Sequence, residues 1–353
     1  MSCEDCEKNR ALGYSFCIKC GQPLGEVPVA PVPQNSKKKG LFSDDILNAS
    51  ILPSAIVVSL AAAISIIIMI FDFPATLDTV AGMTFKPYLY FMTLVQLGTL
   101  TGTGLQIFYV AVAAIAIACT IVFLWMSRPL FTANMADRMD EIRKTPAYWT
   151  GLLLGSTLLL ELVINLIMQI CGVDITTPGS LIDLTLEESL FKFTEAAVWE
   201  EIAFRVVLFG IPMMIAALIC RRRDFAKNLL GGFGASKLSI VILLISSLIF
   251  AYAHVDGWGL WKMFPTFFGG LMLGYLYMKV GIHACIVAHM LNDFTSVWNL
   301  ALPGGALIFV LIILLGLVCF PAAASKTLKG IKKLRTLPAT GFEDQDSSES
   351  NTD

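Results

Sequence analysis

The chain has 353 residues, of which 56% are hydrophobic and 15% are charged, and its formal net charge is −2. Soluble domains contain about 45–50% apolar and about 25% charged residues. The apolar excess lies in long blocks, several of which reach the roughly 20 residues that cross a bilayer. These properties exclude a soluble globular enzyme, a disordered protein and a nucleic-acid-binding protein.

The first 24 residues are polar and contain two pairs of cysteines. Cys3 and Cys6 form one Cys-x2-Cys pair, and Cys17 and Cys20 form the second. This spacing is typical of four thiolates around a tetrahedral zinc ion, and metal binding would supply the folding energy of so short a segment. We expect residues 1–24 to be a structural zinc ribbon that can also bind a partner protein. A pair of redox dithiols is the alternative.

Residues 25–49 contain prolines and a run of lysines and predict a flexible basic linker. Residues 50–148 hold two accessory transmembrane helices. Residues 323–353 form a tail, acidic and serine-rich at its end, that we predict to be disordered. The apolar spans predict eight transmembrane helices, at residues 51–72, 105–126, 149–171, 196–219, 238–254, 263–279, 282–299 and 304–322. The predicted fold class is an all-α polytopic membrane protein with a small N-terminal zinc ribbon.

Lysines and arginines are concentrated in alternate loops. On one side, clusters precede the first span and follow the second, fourth and eighth spans, and Lys279 lies between the sixth and seventh. The loops on the other side hold only Lys86, Lys192 and Lys262. By the positive-inside rule, both termini are cytoplasmic. We expect a multi-pass protein of the cell (plasma) membrane.

Ionisable side chains inside a bilayer are costly and are therefore candidate functional residues. Three of them, Glu200, Glu201 and Arg205, lie in the fourth span. Glu201 and Arg205 are four residues apart, so they can neutralise each other and support the architecture. Glu200 lies on another part of the helix without that partner, which makes it a candidate general base.

All three histidines of the chain lie in or at the end of apolar spans. His254 ends the fifth span. His289 is followed at helical spacing by Asn292 and Asp293, so three polar groups share one face of the seventh span. His283 lies nearer the cytoplasmic end of that span, where an interfacial position is expected.

Two further pairs of residues inside the apolar spans are interpreted as contacts between helices. Glu161 and Asn165 share a face of the third span and predict a cross-link between helices, with gating of a substrate as the alternative. Gly270 and Gly274 in the sixth span predict a face for close helix packing.

Taken in order, the motifs Glu-Glu-x3-Arg, Phe-x3-His and His-x3-Asn/Asp resemble the CPBP family of intramembrane proteases. This family includes the type II CAAX prenyl endopeptidases and the Abi-like homologues, and the resemblance covers about residues 149–322 as a protease core. It implies that Glu200 activates the attacking water and that His254 helps to bind and orient it. His289 and the residue four positions further on would bind the oxyanion or complete a metal site.

That last position is Asp293 in this chain, where Asn is commoner in the family. An ionised carboxylate cannot donate a hydrogen bond to an oxyanion and would repel it. Asp293 therefore orients His289, binds a metal or is protonated, with Asn292 as the alternative donor. A bound metal and a metal-free site are both compatible with these residues.

The predicted orientation indicates how deep in the bilayer the candidate catalytic residues lie. Glu200 and His254 fall in the outer half of the bilayer and His289 near its middle, which predicts a cavity open to the external side or laterally to lipid.

The function expected from these residues is intramembrane hydrolysis of a peptide bond by Glu200-activated water. A prenylated CAAX protein, a leader peptide and a membrane-protein tail all fit as substrates. One alternative is a non-enzymatic membrane adaptor or immunity protein of the same fold. A transporter is less favoured, because the sequence has no inverted repeat and no matching pair of broken helices.

Overall fold

The computed structural model describes residues 3–11, 16–17, 19–20, 22, 50–91, 93–132 and 138–342. The chain divides into two compact units, residues 1–43 and 44–353. The predicted linker, residues 25–49, lies outside the described residues, as do residues 343–353 of the predicted tail.

The described residues of the N-terminal unit include one short helix, α1, and those of the second unit are mostly helical. The helices are α1 (Asp5–Ala11), α2 (Leu52–Phe71), α3 (Phe73–Ala81), α4 (Gly102–Ser127), α5 (Pro129–Thr132), α6 (Arg138–Ile142), α7 (Pro146–Ile170), α8 (Leu186–Glu201), α9 (Ile211–Ile219), α10 (Lys237–Ala253), α11 (Val255–Trp258), α12 (Met263–Lys279), α13 (Ile282–Asp293), α14 (Thr295–Ala301) and α15 (Ala306–Lys333). The strands are β1 (Thr84–Phe85), β2 (Tyr88–Phe91), β3 (Thr93–Gln96) and β4 (Leu100–Thr101). Short 3-10 turns cover Gly179–Leu181, Phe225–Leu230, Leu260–Lys262 and Leu334–Thr336.

An all-α polytopic membrane fold is confirmed, but eight spans is an approximate count. Within the described residues, six helical segments are long and apolar enough to cross a bilayer, judged by length and composition: Leu52–Phe71, Gly102–Thr132, Pro146–Ile170, Leu186–Ile219, Lys237–Trp258 and Ala306–Thr336. The other two predicted spans are α12, with 17 residues, and the segment of α13 and α14, whose first helix has only 12. Because every residue from Ala284 to Leu291 is buried, α13 is enclosed by protein and does not need the length of a lipid-facing helix.

The fourth span begins earlier than its apolar pattern predicts. The hydroxyl of Thr185 accepts a hydrogen bond from the Glu188 N–H, and the Glu188 carboxylate accepts one from the Thr185 N–H. This capping box starts α8 at Leu186 rather than near residue 196. Lys192 therefore lies within a helix, not in a loop.

A π-helical segment, Ile202–Gly210, joins α8 to α9 directly after the Glu200–Glu201 pair. In a π-helix each N–H donates to the carbonyl five residues back, which widens the helix, and such segments are rare and frequent at functional sites. Pro212, at the start of α9, has no N–H group. It therefore cannot donate an α-helical hydrogen bond to a carbonyl of this segment.

Glycines allow several helices to approach closely. A Cβ atom at Gly270 would lie 3.1 Å from Ser247 Cα, and one at Gly274 would lie 2.4 Å from Leu243 Cδ1. Both neighbours belong to α10, so the predicted close-packing face on α12 is confirmed. A second close contact joins α7 to α15, where a Cβ atom at Gly316 would lie 2.2 Å from the Gly155 carbonyl oxygen.

Two small antiparallel pairs, β1–β4 and β2–β3, lie between α3 and α4 and were not predicted. Strands of two to four residues are too short to show a period-two pattern in the sequence. Trp199 Nε1 donates a hydrogen bond of 2.7 Å to the Tyr88 carbonyl oxygen, and the Phe85 ring packs edge-on against Phe191. These contacts place the strands against α8, next to Glu200.

The boundary of the predicted disordered tail at residue 323 is wrong. The last helix, α15, continues to Lys333, with basic residues in its final turn that favour a helix C-terminus. The chain then passes the start of α10, where the N–H groups of Lys237 and Leu238 donate to the carbonyls of Pro338 and Ala339, both at 3.0 Å.

Candidate functional site

The four N-terminal cysteines form a cluster that could hold a metal ion. The Sγ atoms of Cys3, Cys6, Cys17 and Cys20 all lie within 4.8 Å of one another. Four thiolates on a tetrahedral zinc at about 2.3 Å would be about 3.8 Å apart, so the donor set and its spacing fit zinc. Elsewhere in the described part of the chain, no three His, Cys, Asp or Glu ligand atoms lie that close together.

The second cluster contains the predicted catalytic residues and is centred on Glu200. Its Oε2 atom lies 3.8 Å from Nε2 of His254 and 3.8 Å from Nε2 of His289. These separations exceed a direct hydrogen bond. The oxygen is buried and has no hydrogen-bond partner among the described residues, so a small molecule such as water can be held between these groups.

Glu201 connects His289 to Arg205. Its side chain is fully buried, and its Oε2 forms an ion pair of 3.1 Å with Arg205 Nε, as the spacing predicts. Its other oxygen accepts a 2.8 Å hydrogen bond from His289 Nδ1. This second contact was not predicted, because spacing along one helix does not show which residues a different helix brings to it.

Arg205 is held by two more groups. Its guanidinium donates to the Gly270 carbonyl oxygen at 3.5 Å and lies over the Phe250 ring, 4.4 Å from its centre. Phe250 also stacks edge-on with the His254 ring at 4.7 Å, and its carbonyl accepts a 2.8 Å hydrogen bond from His254 Nδ1. The Nε2 atom of His254 is thereby directed to Glu200.

Asp293 and Glu200 both lie near the Nε2 atom of His289. Its Oδ2 lies 3.4 Å from His289 Nε2, and its Oδ1 accepts a 3.0 Å hydrogen bond from the Asn292 amide. The geometry thus brings Asp293 to His289 and engages Asn292 with Asp293.

All five predicted catalytic residues line one cavity of about 540 Å³, which is within the usual size of ligand sites. The cavity is lined by Glu200, His254, His289, Asn292 and Asp293, together with the charged residues Glu161, Lys192, Glu195 and Lys262. Apolar walls come from side chains such as Leu158, Phe193 and Phe309. His283 is not among the lining residues.

Two cavity residues differ from their expected place. Glu161 faces the cavity, and neither Glu161 nor Asn165 forms a hydrogen bond or ion pair with another helix in the described part of the chain. The Asn165 Oδ1 atom is buried without a partner there. The predicted cross-link is therefore wrong. Glu195 was missed because the predicted fourth span begins at residue 196. The charged residues that precede this position in α8 interrupt the apolar pattern. The available signal was its position shortly before Glu200 on the same helix.

Residues 184–295 match the family model of the Rce1-like type II CAAX prenyl endopeptidases. This segment is therefore similar to an Rce1-like domain. The comparison with curated proteins and the comparison with solved structures gave no match.

The matched segment contains Glu200, His254, His289 and Asp293, and it lies inside the core that the sequence motifs outlined. The matched family is one of endopeptidases. With the six apolar helices, it supports a multi-pass membrane protein. From outside the matched segment, Glu161 lines the cavity and Tyr88 of β2 accepts a hydrogen bond from Trp199, next to Glu200.

Proposed function

We propose that this protein is an intramembrane endopeptidase that hydrolyses a peptide bond in or near the bilayer, using water activated by Glu200. The position of Glu200 Oε2 supports this most directly. It is buried, unpartnered among the described residues and 3.8 Å from the Nε2 atoms of two histidines. A carboxylate there can take a proton from a water molecule held between it and the imidazoles.

The histidines have different roles in this proposal. The Nδ1–H group of His254 is bonded to the Phe250 carbonyl, so its Nε2 is free to orient the water. His289 donates from Nδ1 to Glu201, and its Nε2–H group stabilises the oxyanion that forms when water attacks the scissile carbonyl. Asp293 and Glu201 hold the His289 ring in place, and Arg205 neutralises Glu201.

This assignment makes His289 a donor from both ring nitrogens rather than a metal ligand. A metal bound by Glu200, His254 and His289 would instead need the lone pairs of the Nε2 atoms. The metal content of the purified protein distinguishes the two mechanisms.

The substrate class that we propose is a membrane-associated peptide or protein. The matched family is named for prenylated CAAX substrates, and the cavity has apolar walls suited to a lipid-bearing or membrane-embedded chain. Prenylated CAAX peptides are therefore the first substrates to test.

We further propose that the cysteine cluster holds a structural zinc ion and binds a protein partner. The alternation of basic loops supports a plasma-membrane protein with both termini in the cytoplasm and a catalytic cavity reached from the outer half of the bilayer or from lipid.

Cleavage by the purified protein tests the proposed function. Wild type, Glu200→Gln and His289→Ala are incubated in detergent or vesicles with prenylated CAAX, unprenylated and transmembrane peptides. We expect cleavage by wild type and its loss in both variants, with His283→Asn as a control on the same helix as His289 but outside the cavity lining. Cleavage that survives Glu200→Gln, or a wild type that cleaves none of the peptides, contradicts the proposal.

A further inference from the structure

Glu195 is a buried acid in the cavity that the mechanism above does not use. It lies on α8, is 9% exposed and lines the cavity together with Glu200 and His289. Within the described residues, no hydrogen bond or ion pair engages its carboxyl group. Lys192, one turn earlier, contacts the Ser180 carbonyl oxygen instead.

An isolated charge is costly to bury, so a carboxyl group without a cationic partner is retained in its neutral form. A neutral carboxyl group is a proton donor. Four acids line the cavity. Glu200 lies near two imidazoles and Asp293 contacts one of them, whereas Glu161 and Glu195 form no ion pair among the described residues. Of these two, Glu195 lies on the same helix as Glu200.

Hydrolysis of a peptide bond needs two proton transfers. Glu200 takes a proton from water as the C–O bond forms, and the leaving nitrogen must receive a proton as the C–N bond breaks, because an amide anion is a very poor leaving group. In the resting site, Glu201 and Asp293 surround His289, and that imidazole is assigned to the oxyanion. Glu200 can return the proton that it took from water, and Glu195 is a second carboxyl group in the same cavity that can supply one.

We propose that Glu195 is the general acid that protonates the leaving amine. This inference rests on the proposed peptidase function. Water attacks the carbonyl carbon, Glu200 accepts its proton, and the tetrahedral intermediate collapses to a carboxylic acid product as Glu195–COOH gives its proton to the departing nitrogen. The proton on Glu200 then returns to Glu195 through cavity water, which restores both groups.

Matched amide and ester substrates test this role. An alcohol leaves with far less need for protonation than an amine, so Glu195→Gln is expected to slow peptide-bond hydrolysis by about 100-fold or more while changing cleavage of the corresponding ester by only a few fold. The retained ester cleavage also shows that the variant is folded. Glu187→Gln, earlier on the same helix and outside the cavity lining, is the control.

The outcomes separate the two proposals. Glu200→Gln should abolish cleavage of both substrates. Cleavage that depends on Glu200 but falls equally for amide and ester in Glu195→Gln, or is unchanged, overturns the general acid and leaves the peptidase standing. Cleavage that depends on neither residue, or no cleavage by wild type, overturns both.

Infrared spectroscopy gives a readout that needs no substrate. The wild-type protein should show the C=O stretch of a protonated carboxyl group that is lost in Glu195→Gln and retained in Glu200→Gln. A spectrum in which Glu195→Gln removes no such band overturns the inference.

Discussion

The His289 imidazole lies among three carboxylates. Glu201 is at 2.8 Å from Nδ1, and Asp293 and Glu200 are at 3.4 Å and 3.8 Å from Nε2. Such a concentration of acids in a low-dielectric interior needs a fixed positive charge nearby. Arg205, only 2% exposed, supplies it through Glu201.

Removing Arg205 should destabilise the protein strongly. Arg205→Ala leaves Glu201 buried without its cation, which costs about 3–5 kcal/mol, and it should lower the melting temperature in detergent. Arg205→Lys should fall between Arg205→Ala and wild type, because a lysine keeps the charge but lacks the planar fork that contacts Glu201 and Gly270.

The control for this measurement is Arg143→Ala. Its ion pair with Asp140 is exposed, and such pairs contribute about 0–1 kcal/mol. A melting temperature for Arg205→Ala that matches that of Arg143→Ala would contradict the proposed role of the buried pair.

Much of the site could be predicted from residue types alone. A glutamate, two histidines and an Asn-Asp pair inside apolar spans have few structural explanations, and the structure places all of them around one cavity. The bond from His289 to Glu201 could not be predicted, because it joins two helices whose relative rotation is set by packing. Glu195 was hidden because Lys192 and the glutamates of the first turn made that part of α8 resemble a loop. The catalytic roles themselves stay predictions.

Hydropathy predicted where the helices lie along the chain, but it did not predict where each helix ends. The sixth predicted span, 263–279, coincides with α12. The seventh is interrupted, since α13 ends at Asp293 and α14 begins at Thr295. The apolar pattern continues through both helices, so hydropathy alone cannot locate the break.

The close contact between α7 and α15 should be intolerant of even one methyl group. Gly316→Ala places a Cβ atom 2.2 Å from the Gly155 carbonyl oxygen, and the two helices must separate to admit it. We expect a lower melting temperature and a lower yield of folded protein. Gly330→Ala is the matched control on the same helix, because nothing lies within 4 Å of a Cβ atom there. Equal stability of the two variants would contradict close packing at Gly316.

At the scale of the whole molecule, the cysteine cluster and the cavity should differ in metal content. We expect about one zinc per chain, because the four cysteines form one closed tetrahedral site. Cys6→Ser should lose this zinc, and His289→Ala should keep it, as measured by elemental analysis of the purified proteins. A second equivalent of metal that is lost in His289→Ala would establish a metalloprotease and contradict the metal-free assignment.

The predicted topology places the loop at Gly98 and the C-terminus on opposite sides of the membrane, which inserted epitopes can test. An epitope after Gly98, in the exposed loop between β3 and β4, should be digested by protease added to intact cells. An epitope after Asp353 should be digested only after the membrane is opened. The reverse pattern would show that the positive-inside assignment is wrong and that the cavity faces the cytoplasm.

The enclosure of α13 has a consequence for biogenesis. With 12 residues, including His289, Asn292 and Asp293, this helix is too short and too polar to enter a bilayer by itself. We therefore expect it to enter together with its neighbours in the chain, α12, α14 and α15, late in synthesis. A nascent chain that has inserted only through residue 258 carries Glu200 and His254 but no His289. The proposed hydrolysis therefore requires that the last helices are in the membrane.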